Sequence, residues 1–82
     1  MASNESDRLA TKLARSVLAK RGIDVSRCDM RVTHGVCYIR GLVRPMPGVV
    51  IPDLKAEMEN VAKALRAKQD IRDVVLEINT RH

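Results

Sequence analysis

The sequence predicts an α+β domain of order α-β-β-α-β, with two helices packed on one face of a three-stranded mixed or antiparallel sheet. Three observations predict it. Residues 28–43, CDMRVTHGVCYIRGLV, alternate apolar and polar residues on both sides of His34-Gly35. Apolar residues recur at helical spacing before that stretch and again after a proline-rich break. A final alternating run then closes the chain. At 82 residues the chain is long enough for one domain that needs neither disulfide nor metal to fold.

Residues 1–5 read as a flexible lead-in, and 6–80 as the domain. Asn4 or Ser6 can cap a first helix over 7–21, and Asp7 in its first turn suits the positive end of the helix dipole. Leu9, Leu13 and Val17 step by four, with Ala10, Ala14 and Leu18 beside them, and this stripe is expected to face the core. Lys20-Arg21 followed by Gly22 ends the helix, with cations in the last turn and then a residue free to take positive φ.

The hairpin can be tested by its register. With His34-Gly35 as a two-residue turn, Val32 lies opposite Cys37, Met30 opposite Ile39 and Cys28 opposite Gly41. The apolar sets then share one face, and a slip of one residue would oppose apolar to polar along the ladder. On the other face Asp29 meets Arg40 and Arg31 meets Tyr38, a salt bridge and a cation–π contact worth roughly 0.2–1 kcal/mol each. Cys28 and Cys37 share a face but are offset by four residues, roughly 13 Å, too far for a disulfide. Both are expected to be reduced and buried.

All three prolines, Pro45, Pro47 and Pro52, fall in the next segment and exclude a helix or a central strand there. Asp53 can cap a second helix over 53–68, whose stripe is Leu54, Met58, Val61 and Leu65 with Ala62 beside it. Residues 71–78 read as the last strand, with Val74, Leu76 and Ile78 toward the core. The crossover through the second helix makes this strand parallel to 36–43. The expected order puts strand 28–33 between the two.

Composition removes several function classes. The core is aliphatic, since Tyr38 is the single aromatic residue. Fifteen Lys+Arg against ten Asp+Glu give a formal charge of +5, which favours polyanionic partners without a basic run to focus it. No apolar run approaches a membrane span, and the polar N-terminus resembles no signal peptide, so a cytoplasmic location is expected, or a periplasmic one if a leader has been removed. His34 and Cys37 are half a metal site at most, one on a turn and one in the core. Ser16 and Ser26 have no base in reach, Glu57 and Glu59 point apart, and the glycine spacing makes no phosphate loop. Neither an enzyme, a metal nor a cofactor is expected. The missing G-x-x-G argues against a KH-type RNA clamp, and one aromatic argues against an RRM-like stacking sheet.

The run GIDVSRCDMRVTHGVCYIRGLV resembles the BON domain, a small bacterial α-β-β-α-β module. Gly22 to Ser26 match its "gidvs" segment and Gly35 its turn. Cys37, Ile39, Gly41 and Val43 match its "V-x-L-x-G-x-V" strand. Ile71 to Val75 match its closing element, with Asp70 where the family usually has Gly. The resemblance covers essentially the whole chain. It implies a non-enzymatic binding or assembly module that contacts phospholipid, an envelope surface or a protein partner. A basic nucleic-acid (RNA)-binding module and a small ring- or oligomer-building domain are the competing classes. BON domains are usually exported and often paired, and their connection before the second helix is polar, whereas here it is apolar and proline-rich.

Candidate contact residues fall in two places. Arg31, Tyr38 and Arg40 lie on the sheet face away from the helices. Arg44, Met46, Val49, Val50 and Ile51 lie in the connection at 44–52. There an aliphatic run either folds over the gap beside the second helix or is presented to an anionic surface or a partner's groove.

Overall fold

The computed structural model describes residues 5–80. The elements are α1 (Glu5–Lys20), β1 (Ile23–Asp24), β2 (Cys28–Thr33), β3 (Val36–Leu42), β4 (Arg44–Pro45), α2 (Leu54–Arg66) and β5 (Asp73–Asn79). Helix α1 begins at Glu5, inside the expected lead-in, and the Asn4 cap and the rest of that lead-in lie outside the described residues.

The hairpin has the expected register throughout. Val32 pairs with Cys37, Met30 with Ile39, Cys28 with Gly41, Asp29 with Arg40 and Arg31 with Tyr38. His34 (φ 52°) and Gly35 (φ 80°) are both left-handed, the conformation a type I′ turn demands because its twist matches that of the strands. Gly41 has a separate reason to be glycine. At φ 115° a side chain there would come within 2.7 Å of the Arg27 carbonyl oxygen.

Strand β5 runs parallel to β3, as the crossover requires, but the sheet order is β2-β3-β5. This corrects the expected order: 36–42 is the central strand, not 28–33. The physical reason lies along the outer edge of β2. There the Val32 N–H donates to Thr11 Oγ1 at 3.1 Å and the Cys28 N–H donates to the Val25 carbonyl at 3.0 Å. Helix α1 and the turn before β2 occupy that edge, and β3 alone is left to receive β5. The last strand starts two residues later than expected. Ile71 is buried in the turn before it, and the Arg72 N–H donates to the Gly35 carbonyl at 2.8 Å.

Helix α2 buries the stripe Leu54, Met58, Val61, Ala62 and Leu65, and Asp53 Oδ1 caps it by accepting from the Ala56 N–H at 3.0 Å. It ends at Arg66, earlier than expected, in a tight turn where Lys68 N–H donates to Leu65 O. Helix α1 is the second correction. Its buried residues are Asp7, Ala10, Ala14 and Leu18, while Leu9 is 56% exposed, Leu13 is exposed and Val17 only partly buried. The helix is rotated so that its small residues meet the hairpin and Asp7 reaches the turn. Asp7 Oδ2 accepts from the His34 N–H at 3.0 Å and Oδ1 from the Gly35 N–H at 3.3 Å. The first-turn carboxylate thus caps a distant turn as well as lying at its own helix N-terminus.

The connection after β3 holds two residues of strand, which the proline content did not suggest. Ile23 pairs with Pro45 and Asp24 with Arg44 in a two-stranded antiparallel sheet. Pro45 is tolerated because such a short pairing has free edges.

Candidate functional site

With both helices on one side, the sheet leaves its other face open. Alternation along the strands sends Asp29, Arg31 and Thr33 of β2 and Tyr38 and Arg40 of β3 to that face, and these five side chains line one cleft of about 440 Å³. Three of the eight candidate residues, Arg31, Tyr38 and Arg40, are therefore brought together.

Their electrostatic states differ. Arg40 forms its ion pair with Glu77 of β5, not with Asp29 opposite it, which corrects the expected cross-strand bridge. The central position of β3 explains this, since Arg40 has a carboxylate on either side and β5 places Glu77 directly beside it. The guanidinium of Arg31 makes no hydrogen bond or ion pair among the described residues and is exposed beside Tyr38. Asp29 and Thr33 complete the lining; the hairpin register already puts both on this face.

The other five candidates lie elsewhere, at the β1–β4 pair and the loop after it. Arg44 Nε donates to Asp24 Oδ2 at 3.1 Å, so this cation is engaged within the fold. Asp24 also accepts from the Ser26 N–H at 2.9 Å. The Ser26 bonds and then Arg44 bring its carboxyl down from the ordinary 3.8 to about 2. Met46 N–H donates to the Gly22 carbonyl at 2.8 Å, and Val49 lies against Gly22. Ile51 is partly buried against the core, whereas Val50 is 87% exposed. The aliphatic run is thus divided, with Ile51 folded down and Val50 presented outward.

The cysteines are both free. Cys37 is fully buried, and burial pushes its thiol up to about 11. Cys28 corrects the expectation of two buried thiols. It is only half-buried, and its Sγ–H donates to the Leu42 carbonyl at 3.2 Å. Burial first, then the negative charges of Asp24 and Asp29, raise its pKa.

Comparison with known proteins finds no matching family model, no matching curated protein and no matching solved structure. The BON resemblance therefore rests on the sequence motifs alone. Among the described residues no group of three or more His, Cys, Asp or Glu side chains is arranged to hold a metal ion, and no helix is long and apolar enough to cross a membrane.

Proposed function

We propose that this chain is a non-enzymatic binding module that takes a phosphate-bearing surface, the headgroups of anionic phospholipid, on the open face of its sheet. The observation that carries the reading is Arg31, a guanidinium without an ion-pair partner among the described residues, sharing one cleft with Tyr38 and Thr33. A guanidinium offers paired donors that match phosphate oxygens, and a hydroxyl adds a third donor. A tyrosine combines an apolar ring with a polar tip, which suits the boundary between headgroup and acyl chain. The net charge of +5 adds long-range attraction to an anionic surface. The BON resemblance points to the same class of partner. Single-stranded RNA is the less favoured occupant, because one aromatic ring stacks one base where sheet readers of RNA stack two or three.

The test is co-sedimentation with vesicles of neutral phosphatidylcholine alone and with added phosphatidylglycerol, alongside single- and double-stranded oligonucleotides. Binding is expected only to the anionic vesicles, falling with salt and several-fold lower in Arg31→Ala and Tyr38→Ala. Equal binding by these variants overturns the assignment of the face. Oligonucleotide binding that persists at physiological salt, in place of vesicle binding, overturns the choice of partner.

A further inference from the structure

The sheet has two outer edges, and the fold treats them differently. Asn79 O accepts from the Val43 N–H, so the odd-numbered residues of β5 turn their backbone groups toward β3. The even-numbered residues, Val74, Leu76 and Ile78, turn theirs outward. At Val74 both outward groups are occupied: its N–H donates to Asp73 Oδ1 at 2.8 Å and its carbonyl accepts from Arg66 Nη2 at 3.4 Å. At Leu76 and Ile78 the outward N–H and C=O have no partner among the described residues. On the β2 edge, by contrast, the outward N–H groups of Val32 and Cys28 are both engaged by α1 and the preceding turn.

We infer that β5 pairs antiparallel with β5 of a second copy of this chain, about a two-fold axis at Glu77. This inference stands independently of the lipid reading. A two-fold at Glu77 sets Leu76 against the second copy's Ile78, so that the outward N–H and C=O groups left without a partner at both residues pair across the axis. Leu76 and Ile78 are partly exposed on the helix side of the strand, and this register covers apolar with apolar. On the open face Val75 meets Asn79, and Glu77 meets its own copy with the charge of each Glu77 already paired to Arg40 of its own chain. Centres at Val75 or Leu76 would face Leu76 or Ile78 with Val74, whose outward groups are already held. A centre at Val74 would need the groups that Asp73 and Arg66 hold. The match of free backbone groups and of apolar side chains about the two-fold selects a second copy as the occupant.

The product is one six-stranded sheet, β2-β3-β5 continued by β5-β3-β2 of the second copy. The two-fold is perpendicular to the sheet, so both Arg31–Tyr38 clefts fall on the same side.

Sedimentation velocity across a concentration series, with hydrogen exchange read at Leu76 and Ile78, tests this. A monomer–dimer equilibrium is expected, with those amides protected at high concentration and exchanging freely on dilution. High salt leaves the dimer intact, because backbone bonds and apolar side chains form the contact, whereas vesicle binding falls with salt. Ile78→Lys, whose folding is checked by circular dichroism, is expected to be monomeric. A monomer at every concentration, a dimer that survives Ile78→Lys, or no concentration dependence in the exchange of these amides overturns the inference. None of these outcomes bears on vesicle binding by Arg31.

Discussion

The carboxylate of Asp7 holds the backbone of Gly35, at the far end of a hairpin that begins twenty-one residues later in the chain. It accepts from the neighbouring His34 N–H as well, and it is 5% exposed. The turn that sets the register of the sheet is therefore tied to the first turn of α1.

Replacing Asp7 with Ala is expected to cost roughly 1.5–3 kcal/mol in urea denaturation, the range for hydrogen bonds to a charged group. Asp7→Asn keeps one carbonyl acceptor and should fall between the two. A loss below about 0.5 kcal/mol for Asp7→Ala, the usual level for surface changes, would show that the turn holds itself.

Asp24 predicts an acid dependence of stability. Its carboxyl is held at about 2 in the folded chain against 3.8 ordinarily, so the folded state favours the ionised form. The contribution is full above the ordinary value and is lost as pH falls from there through about 2. Asp24→Asn should flatten this part of the melting-temperature profile, and a carboxyl titration by NMR should show the low midpoint. A midpoint at the ordinary value would remove the Ser26 and Arg44 bonds as its cause.

The thiols should react slowly and in a fixed order. Cys28 is half-buried and is reached first, while Cys37, with its pKa near 11, is labelled only as the protein unfolds. Labelling of Cys37 as fast as that of a small thiol under native conditions would contradict the burial of the hairpin face.

The loop after β4 separates into two single variants. Ile51→Ser should cost roughly 1.5–3 kcal/mol at most, because the side chain covers part of the core. Val50→Ser should stay within about 0.5 kcal/mol, since that side chain stands in solvent. A large loss from Val50→Ser would mean that it, too, folds down.

Much of this molecule was legible because its signals are local. Alternation of period two around His34-Gly35 fixed every pair in the β2–β3 ladder, since a one-residue slip would have inverted both faces. The spacing of Leu54, Met58, Val61 and Leu65 fixed the buried face of α2. The same register put Arg31, Tyr38 and Arg40 on one face, so the cleft was readable before any tertiary contact was known. The loop candidates were not, because composition marks an aliphatic run without saying which of its members turns inward.

Sequence by itself determined the two helices and the three strands of the main sheet, the hairpin register and the parallel sense of the last strand. Each of these follows from side-chain periodicity, turn chemistry or the handedness of a crossover. Tertiary structure alone decided which strand is central and which face of α1 is buried. Leu9, Leu13 and Val17 make the larger apolar stripe, yet the helix buries Ala10, Ala14 and Leu18, because Asp7 must reach the His34 and Gly35 amides and Thr11 the Val32 amide. Those donors are backbone groups more than twenty residues away, and no pattern of side chains announces them. Once Thr11 holds the outer edge of β2, β5 has only β3 to pair with.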